Sequence, residues 1–230
     1  MRHIIQILVL VCAAISLPAA ANAQRYYTPD FSLGVKGGVT LSGMAWSPSV
    51  TQKFTPGATV GIIARYTEEK YFGVIAELNL TQRGWAESFP KGSELKYSRQ
   101  FTYVQLPVMT HVYFGNQKYR FFVNLGPEIG YMIHDKISSN FNYKDISTVP
   151  NFPKYHRTDQ LNMPVSKRLD YGIAGGLGGE IRLKRKHSFI LEGRFYYGIG
   201  NVFSAKRGDV FGSSRGMSVE ITAAYLFRLK

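Results

Sequence analysis

Residues 169–183 read LDYGIAGGLGGEIRL, and this stretch decides the fold. Apolar side chains stand at alternate positions, with Asp, Ala, Glu, Arg and several glycines between them. Successive side chains of a strand point to opposite faces, so a period of two predicts a strand with one apolar and one polar face. The glycines could suggest a phosphate-binding loop, but no helix pattern follows, and the dinucleotide-binding fingerprint requires one. We therefore interpret the stretch as a strand.

The same alternation recurs in seven further segments. They are FSLGVKGGVTL (31–41), PGATVGIIARY (56–66), YFGVIAELNLTQ (71–82), residues 97–114, YRFFVNLGPEIGYMI (119–133), SFILEGRFYYG (188–198) and GMSVEITAAYLFRLK (216–230). Each has at least the roughly 10 residues that a tilted strand needs to cross a membrane. Pro107 has no N–H to donate to a ladder, so we expect a local break within the segment 97–114.

The lengths of the connections alternate as well. Short turns are built around TEEK (67–70), GNQK (115–118) and KRKH (184–187), whereas the connections at about 42–55, 82–97, 133–168 and 200–215 are long. An even number of strands with short turns at one end and long loops at the other is typical of outer-membrane barrels. The sequence therefore predicts an all-β fold, an eight-stranded antiparallel up-and-down transmembrane β-barrel with short periplasmic turns and long extracellular loops.

The first residues have the pattern of an export signal. A basic residue precedes an apolar stretch at 4–17, and a small-residue site, ANA (21–23), follows it. This pattern predicts a cleaved signal peptide at 1–23 and an outer-membrane β-barrel domain at 24–230. The single cysteine, Cys12, lies in the signal, so we expect no disulfide and no thiolate metal site in the mature chain.

The chain is strongly basic, with a formal net charge of +13. In an exported protein, an excess of positive charge indicates either contact with anionic lipid headgroups or a contribution to solubility. We therefore expect outer-membrane lipid as a partner and do not expect nucleic acid. The sequence leaves the oligomeric state open.

Charged residues on the polar faces of the predicted strands would point into the barrel. They are Lys36, Arg65, Glu77, Glu128, Glu180, Arg182, Glu192, Arg194, Glu220 and Arg228. Eight strands enclose a space that side chains can fill, and buried charges persist when they are paired and hydrogen-bonded. We interpret these residues as a structural charge network that plugs the lumen. A proton or ion path is the alternative, which the small lumen disfavours.

The positions of the aromatic residues predict two girdles, one at each membrane interface. The set beside the short turns is Tyr66, Tyr71, Phe72, Phe114, Tyr119, Phe121 and Phe227, and the set towards the long loops is Phe101, Tyr103, Tyr131 and Tyr197. Core aromatics of a soluble β domain are the alternative interpretation.

The sequence offers little catalytic chemistry. His111, His134, His156 and His187 have no metal-ligand spacing, and the chain has no G-x-S-x-G nucleophile motif. We expect no enzymatic activity and no catalytic, cofactor-binding or metal-binding residue. A lipid-modifying enzyme with a His or Ser near the outer rim is the rival from a different class.

The longest connection is the candidate partner-binding loop. Its aromatic and basic residues suit a protein, a glycan or the phosphates of lipopolysaccharide. The candidates are Tyr143, Lys144, Phe152, Lys154, Tyr155, His156 and Arg157. Loops this long are usually functional or disordered, so a mobile hairpin without a ligand is the alternative.

The order and spacing of six segments resemble the PorT-like family of outer-membrane β-barrel proteins. The segments are FSLGVKGGVTLSG, VIAELNLTQRGW, YVQLPVMTHVYFG, FFVNLGPEIGY, LDYGIAGGLGGEI and ILEGRFYYGIGNV. The resemblance covers residues 31–230 and implies an eight-stranded barrel in the outer membrane of a Gram-negative bacterium. One departure is the chain end, FRLK (227–230), where many outer-membrane barrels have a terminal aromatic residue.

The function implied by the resemblance is less specific than the fold. The namesake of the family takes part in type IX protein secretion, whereas many relatives have no assigned task. We therefore expect a non-enzymatic accessory component of type IX secretion or of envelope organisation, acting through contacts with secretion-machinery or envelope proteins. The alternative is an adhesin or ligand-binding barrel that uses its extracellular loops.

Overall fold

The structure is a computed structural model, and it describes residues 29–68, 71–150, 152–153, 156–183 and 186–229. The predicted signal peptide at 1–23 lies outside the described residues, and so do Lys154 and Tyr155 of the candidate loop. Within the described part, no helix is long and apolar enough to cross a membrane.

Nine strands form one sheet in the described residues, and eight of them are long. They are β1 (Asp30–Ser47), β2 (Gln52–Lys53), β3 (Thr55–Thr67), β4 (Phe72–Glu87), β5 (Tyr97–Gly115), β6 (Tyr119–Ser139), β7 (Leu169–Leu183), β8 (His187–Gly198) and β9 (Ser213–Arg228). Two short 3-10 turns, Ile146–Thr148 and Asp159–Asn162, lie in the longest loop.

The long strands form a closed ring. Each pairs antiparallel with the next long strand along the chain. The ring closes between β1 and β9, which pair from Ser32–Arg228 to Ser47–Ser213. A closed ring leaves no unpaired edge, which is what a membrane-spanning sheet requires. The predicted eight-stranded antiparallel barrel is therefore confirmed, and β2 is a two-residue addition beside the end of β4.

Side chains alternate between the lumen and the outer surface. Val35, Leu125 and Ile221 point outward and are 59%, 59% and 55% exposed, whereas the neighbouring Lys36 and Asn124 point inward and are buried. A water-soluble protein keeps charged residues outside, so this inverted arrangement fits a barrel surrounded by acyl chains.

The glycines of β7 make room for large inward-pointing neighbours. A Cβ atom at Gly178 would lie 2.4 Å from Cζ of Phe122, and one at Gly176 would lie 2.6 Å from Oε1 of Glu192. Both distances are shorter than van der Waals contact. The glycine-rich stretch at 169–183 is therefore a strand shaped by the filling of the lumen, as its alternation predicts.

Several strands extend beyond the predicted segments on the loop side. β1 continues to Ser47, β4 to Glu87 and β6 to Ser139, although the last exposed apolar residue of β4 is Leu80. Outward residues beyond the level of Leu80 face water and are not apolar at alternate positions. The backbone pairing between the strands nevertheless continues. The long connections are correspondingly shorter than predicted. They are residues 48–54, 88–96, 140–168 and 199–212, called here loops 1 to 4, and loop 1 contains β2.

The predicted break at Pro107 is confirmed. The pairing of β4 with β5 is interrupted between the pairs Ala76–Val108 and Asn79–Gln105. Pro107 lies in this gap, because it cannot donate a ladder hydrogen bond.

The girdle prediction is partly wrong. Tyr66, Phe114 and Phe121 are exposed beside the short turns, and Tyr131 and Tyr197 are exposed towards the long loops. In contrast, Phe101 and Tyr103 are only 2% and 3% exposed. Phe101 and Tyr103 are separated from the buried Gln105 on β5 by even numbers of residues, so the three side chains share the same, inward, parity. They therefore belong to the interior and not to a girdle.

Candidate functional site

Glu77 is the most connected carboxylate in the lumen. It accepts hydrogen bonds from Lys36 (2.9 Å), from two guanidinium nitrogens of Arg194 (2.8 and 2.7 Å) and from the amide of Asn79 (2.8 Å). Arg194 also donates to Glu192, at 2.7 Å. The group is buried, and strong charge-assisted bonds of this kind compensate for the loss of water.

A second group is centred on Arg83. Its guanidinium donates to Glu128 (2.7 Å) and Glu220 (3.0 Å) and lies 3.9 Å from the ring centre of Tyr196. Arg83 falls in the connection predicted at about 82–97, so it was not among the predicted lumen residues. Its parity is nevertheless that of Glu77 on the same strand, and this signal could have identified it.

A third group lies nearer the periplasmic rim. Arg65 donates to Glu180 at 2.9 Å, while Asp30 pairs with Arg182 at 3.1 Å and with Arg228 at 3.2 Å. Asp30 was missed because it precedes the first segment with a clear alternation. Asp30 lies at an even number of residues from Ser32 and Lys36 on β1, so its side chain points inward as theirs do.

The structure thus places each of the ten predicted charged residues in an ion pair. Their pairs also include Arg83 and Asp30, and the whole set is called here the lumen network. The remaining space holds buried apolar side chains, among them Ile63, Ile75, Met109 and Phe122. Side chains therefore occupy the lumen, and the twelve charged residues of the lumen network are held in ion pairs.

Aromatic residues close the extracellular end of the barrel. The buried cluster, called here the mouth cluster, comprises Met44, Trp46, Trp85, Tyr97, Phe101, Tyr103, Met132, Leu161, Val202, Phe203 and Phe211. Trp46 stacks on Phe203 with ring centres 5.4 Å apart, and Trp85 meets Trp46 edge-on at 5.4 Å. Leu161 comes from loop 3, whereas Val202, Phe203 and Phe211 come from loop 4. The two loops therefore fold onto the barrel mouth and contribute buried side chains to it.

Polar contacts fix loop 3 to the barrel at Glu87, the last residue of β4. The imidazole Nε2 of His156 lies 3.0 Å from one carboxylate oxygen of Glu87, and the Gln160 amide donates to the other at 3.1 Å. The imidazole also stacks on Phe89, at 4.7 Å. The Tyr97 hydroxyl donates to the Leu161 carbonyl at 2.6 Å. The contacts of His156 and Gln160 with Glu87 are called here the loop-3 latch.

The described candidate loop residues do not gather into one site. Tyr143 and Phe152 are half-buried, Tyr143 against Tyr97 (5.8 Å) and Phe152 against His156 (5.9 Å). Lys144 and Arg157 are exposed, although the Arg157 guanidinium lies 5.4 Å from the ring of Phe211. The parts of loops 3 and 4 that cover the barrel mouth are called here the cap. Tyr143 and Phe152 therefore pack within the cap, whereas Lys144 and Arg157 lie on its surface.

Loop 4 is shaped by Asp209. Its carboxylate accepts hydrogen bonds from the Ser204 hydroxyl and the Lys206 backbone N–H, both at 2.6 Å. The Ser204 bond, followed by the Lys206 bond, lowers the pKa of Asp209. Loop 4 therefore has an ordered turn above the mouth cluster.

The histidines lie in separate environments. His111 is buried and contacts Asn124 at 2.7 Å, His187 contacts the Tyr225 hydroxyl at 2.6 Å, and His134 is exposed on β6. In the described ranges, no group of three or more His, Cys, Asp or Glu side chains could hold a metal ion.

Comparison with known proteins places this barrel among outer-membrane proteins. The model of the family described as "Outer membrane protein beta-barrel domain" matches residues 21–204. No curated protein matches the sequence.

Solved structures of outer-membrane proteins are similar to the chain. One is Ail, the attachment invasion locus protein of Yersinia pestis, in complex with the heparin analogue sucrose octasulfate (16% identity, 86% of this chain and 99% of that chain, TM-score 0.43). Another is OprG from Pseudomonas aeruginosa (11% identity, 88% of this chain and 96% of that chain, TM-score 0.49). A third is outer membrane protein W of E. coli (16% identity, 88% of this chain and 100% of that chain, TM-score 0.38).

Proposed function

Because the chain belongs to the outer membrane protein beta-barrel domain family, we propose that it is a closed, non-enzymatic barrel that acts through protein contacts of its extracellular loops. The observation that carries the proposal is the mouth cluster, in which loops 3 and 4 seal the barrel above a lumen filled with side chains. A sealed barrel has no path for a solute, so we expect it to act by binding partners at its surface and not by transport.

The proposed role is that of an accessory component of type IX secretion or of envelope organisation. It rests on the PorT-like segments of the sequence together with the folded cap. Lys144, Arg157 and Arg207 are exposed on loops 3 and 4, and they offer a basic surface to an acidic face of a partner protein. Because the cap is already folded, a partner would bind it without a large ordering cost.

The second candidate is an adhesin or ligand-binding barrel. The same exposed basic side chains favour it, because they lie on the cell surface where an external anionic ligand could reach them. A lipid-modifying enzyme has less support. Its best candidate base, His156, is bonded to the buried Glu87 and stacked on Phe89.

Charge reversal on the cap tests these roles without disturbing its packing. The variant Lys144→Glu/Arg207→Glu changes exposed loop residues, and Lys118→Glu/Lys186→Glu makes the same charge change on exposed periplasmic turns. Deletion of residues 138–165 would be a poorer test, because it also removes Leu161 from the mouth cluster and Gln160 from the latch.

Both variants should be placed in the native host, with secretion of type IX cargo and adhesion of cells measured in parallel. Loss of secretion with the cap variant alone is the expected result. Loss of adhesion with normal secretion would favour the adhesin. If the cap variant matches wild type in both assays, or if both variants fail equally, the proposed loop contacts are wrong.

A further inference from the structure

A cleft of ≈ 700 Å³ lies under loop 2, at the extracellular end of β4, β5 and β6. Part of its floor is a row of residues paired across four strands. The row runs Lys53, Ala86, Ser98 and Ser138. Glu87 and Tyr97, the chain neighbours of Ala86 and Ser98, are buried towards the mouth cluster, so the row itself faces the outside of the barrel.

Three lysines make this cleft positive. Lys53, Lys91 and Lys96 line it and are exposed, and none of them belongs to an ion pair found among the described residues. Glu87 also borders the cleft, but its carboxylate is engaged by the loop-3 latch. Three ammonium groups around one concave surface attract a multiply charged anion more strongly than scattered surface charges do.

The cleft lies beyond the apolar belt, on the side of the long loops. Leu80 is the last exposed apolar residue of β4, and Ala86 is six positions further along. At a rise of about 3.3 Å per residue and a strand tilt of about 40°, this distance corresponds to about 15 Å above the apolar belt. Between these two levels, His134 and Lys136 are exposed on β6, so basic residues lead from the belt towards the cleft.

Its size and lining suit a phosphorylated sugar. The volume is within the range of about 300–1,000 Å³ that is typical of small-molecule sites. Beside the lysines, the hydroxyls of Ser98 and Ser138 can bond sugar hydroxyls, and Pro90 and Leu95 supply apolar contact. Gly92 has a φ of +91° in the turn between Pro90 and Ser93, which carries Lys91 at its tip.

We propose that this cleft binds the phosphate-bearing saccharide headgroup of lipopolysaccharide in the surrounding outer leaflet. The lysines hold the phosphates, and the serine hydroxyls hold the sugar. The proposal is independent of the partner-binding role of the cap, because Lys144 and Arg207 do not line the cleft. A bound glycolipid would anchor loop 2 to the membrane surface.

The test measures binding of de-acylated lipopolysaccharide, a soluble phosphorylated oligosaccharide, to the mature protein in phosphatidylcholine nanodiscs. The cleft variant is Lys53→Gln/Lys91→Gln/Lys96→Gln, and the matched control is Lys167→Gln/Arg168→Gln/Lys206→Gln. Both variants remove three exposed positive charges from the extracellular side. Unchanged heat-dependent gel mobility verifies that each is folded.

We expect the cleft variant to bind at least about ten-fold more weakly, and the control less than about two-fold. Phosphatase treatment of the oligosaccharide should weaken its binding to wild type as much as the cleft substitutions do. The proposal is overturned if the two variants weaken binding equally, since general electrostatic attraction then explains it. It is also overturned if phosphatase treatment has no effect, or if inorganic phosphate alone competes at equal concentration.

Discussion

Replacement of Glu77 by glutamine tests the lumen network at its most connected carboxylate. Four hydrogen bonds of 2.7–2.9 Å converge on this side chain, and three of them come from cationic groups. Arg194 keeps Glu192 in the variant, but Lys36 loses the only carboxylate with which it is paired among the described residues. Glu77→Gln therefore leaves a buried ammonium without a counter-charge.

The expected loss is large. Removal of one partner from a buried ion pair costs about 3–5 kcal/mol, and glutamine keeps an acceptor for Asn79, so we expect about 3 kcal/mol. A second substitution, Lys36→Met, removes the stranded ammonium. The double variant Lys36→Met/Glu77→Gln should regain about 2 kcal/mol, because an apolar side chain of similar length suits the buried position.

The assay is urea unfolding in lipid vesicles, with the folded fraction followed by gel mobility of unheated samples. Glu94→Gln, an exposed carboxylate in loop 2, is the control and should unfold like wild type. A cost of less than about 1 kcal/mol for Glu77→Gln, or a double variant less stable than the single one, would refute this role of Glu77.

Three further substitutions probe the mouth, the latch and the glycine-rich strand. Trp85→Ala should lower the free energy of unfolding by about 3–5 kcal/mol, because the side chain is fully buried in the mouth cluster; a cost below about 1 kcal/mol in the same urea assay would contradict this packing. His156→Ala should speed trypsin cleavage after Arg157 while leaving global unfolding almost unchanged, and equal cleavage rates would show that the latch does not restrain loop 3. Gly178→Val should fail to give the heat-shifted folded band, since its Cβ would lie 2.3 Å from the Leu191 carbonyl oxygen; normal folding would contradict the observed register.

The fold could be predicted because the bilayer imposes a pattern on the sequence. Outward residues such as Leu125 must be apolar, and the closed ladder satisfies the backbone, so alternation and connection length together identify the barrel. Lys36 and Glu77 could be assigned to the lumen on the same basis, from parity alone. Their particular partners could not, because pairing across the lumen joins strands that are distant in sequence.

The signal fails where the strands leave the membrane. Arg83 lies beyond Leu80, the last exposed apolar residue of β4, so this part of the strand resembles a loop in sequence. Phe101 and Tyr103 face inward at the same level, where aromatic residues fill the mouth and no longer mark an interface. Loop 3 is fixed by Glu87 and His156, which are 69 residues apart, and no local pattern reports such a contact.

In each membrane-spanning strand, the exposed apolar side chains face acyl chains and the alternate side chains face the lumen. Single cysteines labelled with an environment-sensitive fluorophore test this arrangement in vesicles of brominated lipid. The outward sites are Val74, Leu125 and Ile221, and their inward neighbours are Ile75, Asn124 and Glu220. We expect strong quenching at the outward sites and little or no labelling at the inward sites of the folded protein. Equal quenching at both parities, or access of aqueous iodide to the outward sites, would contradict it.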